Sequence, residues 1–256
     1  MPTPALFLSH GAPTLALEEN AVTSHWRELG ASLAPRAVIV VSAHWDTHTP
    51  AVTTAPRLAT IHDFFGFPKP LYDLRYEPPG DPDLASRVTA LLARAGFATT
   101  ADSRRGIDHG GWVPMRFLAP EANVPVIQLS IQSARDARHH VALGRALAPL
   151  RHEGVLVLGS GGIVHNLREL DWHGADGRVM PWAKAFNDWV AANAAAGDEE
   201  ALVDWLARAP EPRRAHPTPD HFMPFFVALG AGGYPAKRLD LGFDLGSLGM
   251  DGYAFG

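Results

Sequence analysis

"GVLVLGSGGIVHNL" occupies residues 154–167. A short apolar run rich in Val and Leu leads into a cluster of glycines, and His165 follows at once. The run has no polar alternation, so it reads as a strand buried on both faces. Such a strand needs helices above and below its sheet, which sets the fold class as α/β. The same form occurs twice more. "ALFLS" (5–9) ends at His10, and "RAVIVVSA" (36–43) ends at His44.

Helical spacing lies between and after these runs. "DPDLASRVTALLARAG" has an N-terminal Asp, apolar positions at helical intervals and a terminal Gly. "ARDARHHVALGRALAPL" (134–150), "WAKAFNDWVAANAAAG", "EALVDWLARA" and "HFMPFFVALGAG" also read as helices. "AVTTA", "FATTAD" and "VPVIQLSIQ" (124–132) read as strands, and the tail "LDLGFDLGSLGMDGYAFG" as late strands and turns. No composition shift divides the chain. The expected architecture is one α/β domain over residues 1–256, with a central mixed, mostly parallel sheet flanked by helices.

Bulk composition excludes several functions. The chain has no cysteine, so any metal must rest on His, Asp, Glu or backbone oxygen. A net charge of −5 without a basic run leaves no footprint for nucleic acid. The apolar runs are too short to span a bilayer. The opening "MPTPALFLSHGAP" carries neither a basic segment nor a long apolar stretch. No signal peptide is read, and a cytoplasmic location is expected. The oligomeric state stays open.

The glycine cluster admits three readings. A dinucleotide loop needs G-x-G-x-x-G after the first strand, whereas here the third position is Val164 and the motif lies late. A nucleophile elbow needs G-x-S-x-G, and Leu158 stands two residues before Ser160. A serine hydrolase using Ser160 with Asp220 and His221 stays open. In the third reading Gly159, Gly161 and Gly162 make a tight turn that presents His165 to a ligand, with Ser160 as a turn residue.

The third reading gains weight from His10 and His44. In sheets of this kind ligands bind outside the carboxyl ends of the strands, where His10, His44 and His165 all lie. Neutral imidazole is a common ligand for Zn and Fe. "RAHPTPDHFMPFF" (214–226) adds His216, Asp220 and His221 on a Pro-stiffened loop. Asp220 is expected to cap the helix that His221 opens. "RRGIDHGGWVPM" (104–115) sets His109 beside two glycines, as an acid–base group or a solvent-exposed turn histidine. "IHDFFGFPKPLYDLRY" (61–76) reads as an aromatic loop, either a satellite cluster or the wall of an aromatic pocket. Phe65 and Tyr72 from this loop, with His216, are the expected substrate contacts. Lys69 or Arg75 is a candidate for a substrate carboxylate. His139, His140, His152 and His173 are expected at the surface.

Taken together, "SHGAP", "VVSAHW", "HDFFGFP", "DHGGWVPM", "LGSGGIVHNL" and "HPTPDHFMP" resemble the class III extradiol ring-cleavage dioxygenases. The branch they look like is the 4,5-DOPA dioxygenase family, related to the catalytic subunit of protocatechuate 4,5-dioxygenase. The resemblance runs over nearly the whole chain. It implies a non-haem, metal-dependent enzyme that opens a catechol ring with O2. The family's metal positions match His10, His44 and His221, with His165 a further ligand or an acid–base group. His109 matches a pocket histidine. Better-known relatives use a carboxylate as third ligand; here the aligned pair is Asp220–His221, and His221 is favoured. Fe(II) is implied as working metal, with Zn(II) a species that purified protein could carry. The partners implied are a small aromatic diol and O2. A zinc-dependent hydrolase on the same histidines is the alternative, weakened by the lack of an H-E-x-x-H motif.

Overall fold

The core is set by strand alternation. In the strand Ala5–Ser9, Phe7 points to one side of the sheet while Leu6 and Leu8 point to the other. In Ala37–Asp46, Ile39 and Val41 oppose Val38 and Val40. In Val155–Gly161, Val155 and Val157 oppose Leu156 and Leu158. Each face therefore builds its own core, as a strand of period two requires.

This computed structural model describes residues 2–172 and 177–256. In chain order the strands are β1 (Ala5–Ser9), β2 (Ala37–Asp46), β3 (Ala51–Thr53), β4 (Thr100–Asp102), β5 (Val126–Ile131), β6 (Val155–Gly161), β7 (Ala236–Leu239), β8 (Phe243–Asp244), β9 (Leu248–Gly249) and β10 (Gly252–Phe255). The helices are α1 (Ala21–Leu33), α2 (Lys69–Asp73), α3 (Pro82–Arg94), α4 (His109–Leu118), α5 (Ala137–Leu147), α6 (Pro181–Ala196), α7 (Glu199–Val203), α8 (Trp205–Arg208), α9 (Pro212–Ala215) and α10 (Met223–Gly232). One sheet runs in the order β4-β3-β5-β2-β6-β1-β10-β7, and β8 pairs with β9 separately. The central pairs β5–β2, β2–β6 and β6–β1 are parallel. The pairs β3–β5, β1–β10 and β10–β7 are antiparallel. The chain is a single α/β domain with a mixed, largely parallel sheet. None of its described helices is long and apolar enough to cross a membrane.

β6 lies between β1 and β2, in register with both. Ser160 stands opposite Leu8 on one side and Ser42 on the other. The carboxyl ends of these three strands therefore open on one place. α10 closes one face there, and it is buried on all sides. A helix with apolar residues all round its circumference belongs in a protein interior.

Several elements differ from the sequence reading. α1 was not anticipated. The segment around His109 is no exposed turn: "HGGWVPM" enters α4, with the Asp108 side chain accepting from the Gly111 N–H. "EALVDWLARA" breaks into α7 and α8 at Asp204. His152 is exposed as expected, and His139 is half-buried. His173 lies outside the described residues.

His140 is fully buried rather than at the surface. Its Nδ1–H donates to the Asp136 carbonyl at 2.8 Å, and its Nε2 accepts from the Gln132 N–H at 3.2 Å. Protonating Nε2 would place two donors face to face. Burial lowers the His140 pKa to about 4. An unfolded histidine titrates near 6.5, so the folded protein binds fewer protons between those values. The stability due to neutral His140 is complete above pH 6.5 and is lost as pH falls toward 4. The slope is about 1.4 kcal/mol per pH unit. Urea unfolding at pH 7 and pH 5 is expected to show His140→Gln losing about 2 kcal/mol less than wild type over that interval. Equal losses in the two proteins would refute this account.

Candidate active site

Each strand end contributes one imidazole or the group that holds one. His10 follows β1 directly, and its backbone N–H donates to the Gly161 carbonyl at 3.0 Å. His44 lies within the last turns of β2 rather than beyond it. His221 precedes α10. The glycines of β6 explain why that helix can approach. A Cβ on Gly159 would lie 2.3 Å from the Pro224 carbonyl oxygen, and one on Gly161 would lie 2.1 Å from that of His221. None of Gly159, Gly161 and Gly162 takes a positive φ. Gly159 and Gly161 therefore lie inside the strand and make room for the His221 segment; the expected tight turn is not what they provide.

The three rings converge through Nε2. The nitrogens of His10 and His44 are 3.0 Å apart, and those of His44 and His221 are 3.3 Å apart. The tautomers follow from the far side of each ring. Ser160 Oγ donates to the Gly110 carbonyl at 2.5 Å, so it accepts from His10 Nδ1–H at 3.0 Å. His221 Nδ1–H donates to Asp220 Oδ2 at 2.5 Å. His44 Nδ1 faces Asp63 Oδ2 at 3.7 Å, which favours a proton there. All three Nε2 lone pairs are then left aimed at one point. Two ligand atoms about 2.1 Å from one ion, at tetrahedral to octahedral angles, lie roughly 3.0–3.4 Å apart. The donor set thus fits a first-row divalent cation. Burial and mutual repulsion push the pKa of His10 and His221 well below 6.5, and burial brings His44 to about 4. Neutral imidazole is the form that binds metal.

Asp220 does not cap a helix, because α10 begins at Met223 with Phe222 at its N-cap. Its carboxylate is used on His221 instead, a carboxylate–histidine pair that fixes ring and tautomer. Ser160 has a similar task on His10. It is neither a turn residue nor placed as a nucleophile, since its one proton is committed to Gly110.

Two further histidines border the three. His165 stacks on His221, with ring centroids 3.4 Å apart and planes within 5°. Burial brings its pKa to about 4. His109 lies 3.9 Å from His44, centroid to centroid. Asp63 Oδ1 accepts from both the backbone N–H and Nδ1–H of His109, each at 3.0 Å. Burial raises the Asp63 carboxyl, but the bonds and charge of His109 outweigh it and hold the group near 2. Asp63 escaped the sequence reading. Its only signal was its place beside His62 in an aromatic loop.

A cavity of about 300 Å³ opens over His10, His44, His109, His165 and His221. From the aromatic loop, Phe64 and Phe67 line it. The expected contacts differ. Phe65 is 91% exposed and points to solvent. Tyr72 is behind the wall, packed on Phe64 with its hydroxyl accepting from the Phe67 N–H at 3.3 Å. His216 is buried away from the cavity; it stacks on Phe222, and Nε2–H donates to the Ile163 carbonyl at 2.8 Å. The loop turns Phe64 and Phe67 inward and leaves Phe65 and Gly66 exposed, a spacing that no period in the sequence announced.

The chain matches the family model described as the catalytic LigB subunit of aromatic ring-opening dioxygenase over residues 4–255. It is 42% identical to a 4,5-DOPA dioxygenase extradiol of Beta vulgaris, with 97% of this chain and 95% of that one covered. It is 43% identical to a 4,5-DOPA dioxygenase extradiol of Escherichia coli (strain K12), with 96% and 92% covered. A crystal structure of an uncharacterized Escherichia coli K12 protein superposes with a TM-score of 0.83 at 37% identity, over 99% of this chain and 100% of that one. His10, His44 and His221 form a cluster that could hold a metal ion, and the chain belongs to the LigB family of extradiol dioxygenases.

Proposed function

We propose that this dioxygenase uses Fe(II) held by His10, His44 and His221 to cleave a catechol, a DOPA-like or related dihydroxyphenyl compound, with His109 and His165 moving its protons. The observation that carries the reading is the convergence of three Nε2 atoms beneath an aromatic-walled cavity. When bound, ferrous iron supplies Lewis acidity toward the catechol hydroxyls and the redox activity that O2 chemistry needs. The protein's own part is to bind the ring, keep water out and manage protons.

His109 is oriented to accept a proton. Its Nδ1–H is anchored on Asp63, which leaves Nε2 free, and the nearby carboxylate stabilises the imidazolium that forms. His165 holds a proton weakly, because burial disfavours its cation. In its neutral form it can take a proton from the catechol and pass that proton to the ring-opened product. Its place against His221 also suits contact with the metal when no substrate is bound. Phe64 and Phe67 line the cavity and suit a flat ring.

Imidazoles bind Zn(II) more tightly than Fe(II), so zinc in a purified sample would not identify the working metal. The zinc-hydrolase alternative loses its support with family membership. A cytoplasmic location is retained as part of the proposal. The deciding experiment is anaerobic reconstitution with Fe(II) or Zn(II), followed by a catechol and O2. A yellow ring-opened product with iron alone supports the proposal; ester or amide turnover with zinc and no ring opening would sink it.

Four variants test the assignments. His109→Ala and His165→Ala are expected to lower kcat on the order of a hundredfold while metal content stays near that of wild type. Loss of metal from either would move that histidine into the ligand set. Ser160→Ala is expected to weaken metal binding by about ten- to a hundredfold in a competitive chelator titration, because His10 loses the partner that fixes its tautomer. Unchanged affinity would show that β1 alone orients His10. Asp63→Asn is expected to reduce kcat about tenfold or more in protein saturated with Fe(II), the amide being a weaker partner for the His109 cation.

A further inference from the structure

Among the described residues, the wall of the cavity beyond the histidines carries no ion. Phe64, Phe67, Leu170, Trp172, Leu245 and Leu248 line it, and no Lys, Arg, Asp or Glu side chain does so among the described residues. The cations of the aromatic loop are committed elsewhere. Lys69 pairs with Asp73 at 2.7 Å, and Arg75 donates to the Tyr72 and Leu74 carbonyls, both at 2.7 Å. Neither takes the substrate-carboxylate position considered for them. Leu167 and Trp172 line the same cavity while 59% and 62% exposed. Such apolar surface continuous with a reaction site gains from being covered.

We infer that the catechol taken by this enzyme carries an uncharged, apolar ring substituent, which lies along Leu170, Trp172, Leu245 and Leu248. This rests on the dioxygenase reading and narrows its substrate. DOPA, named in the relatives, bears an ammonium and a carboxylate. A carboxylate placed against this wall would give up hydration and find no guanidinium or ammonium in return. The imidazoles are no substitute, since they lie at the ring end of the cavity. An alkyl substituent loses nothing and buries its methylenes against leucine and tryptophan.

The test uses a matched pair of similar length: 4-butylcatechol and 3-(3,4-dihydroxyphenyl)propanoate, with unsubstituted catechol and DOPA beside them. With Fe(II)-loaded protein, kcat/KM for 4-butylcatechol is expected to exceed that for the propanoate and for DOPA by about tenfold or more. Leu170→Arg is expected to reduce that ratio about tenfold, by giving the carboxylate a partner. Dissociation constants of the same pair, measured by calorimetry on the loaded protein without O2, provide a readout that needs no turnover. A ratio at or below one in both measurements overturns the inference while leaving the dioxygenase intact. Tight, selective binding of 4-butylcatechol without cleavage of any catechol would instead overturn the dioxygenase reading and uphold the apolar pocket.

Discussion

Unshared electron pairs that point at one another repel, and this protein forces three of them together. The enforcement comes from the opposite side of each ring. Ser160 holds His10, Asp220 holds His221, and Asp63 stands by His44. These partners leave Nε2 unprotonated and fix its direction. The sheet then supplies the positions, because β6 lies in register between β1 and β2 and carries Ser160 at the common end. A cation at the meeting point turns mutual repulsion into coordination.

The packing of α10 is the mechanical counterpart. Its apolar surface is buried all round, so it cannot shift without opening the core. Its first turn meets β6 where two glycines leave no side chain in the way. The His221 carbonyl accepts from the Gly162 N–H at 2.9 Å, which ties the ligand segment to the end of the strand. Rigidity at this site therefore derives from close backbone contact, and bulk at Gly159 or Gly161 would be felt directly at the third imidazole.

Much of this was legible in the sequence because its signals are local. Apolar runs gave β1, β2 and β6, and the rule that ligands bind at carboxyl ends gave His10, His44 and His165 a common neighbourhood. The preference for His221 over Asp220 came from resemblance; the structure pairs the Asp220 carboxylate with His221 Nδ1. What was missed depends on contacts distant in sequence. Ser160 meets Gly110, 50 residues away, and Asp63 meets His109, 46 residues away. No spacing rule links such pairs. Phe65, Tyr72 and His216 failed as cavity contacts for the same reason: residue type marked them as aromatic, but only packing decides which face of a loop turns inward. His140 looked like a surface residue on an amphipathic helix, and its two backbone partners explain how the interior accommodates it.

The pairing of β1 with β10 and β6 has a consequence for how the enzyme is made. Ribosomes produce His10 and His44 early, while Ser160, Asp220 and His221 follow only after most of the chain exists. The first strand has no sheet neighbour until β6 is made, and its other neighbour is the last strand of all. A nascent chain thus offers His10 and His44 before Ser160 can orient the one and His221 can join them. Selection of the metal is in this sense deferred to a nearly finished protein, where geometry rather than the mere presence of histidine decides what is retained.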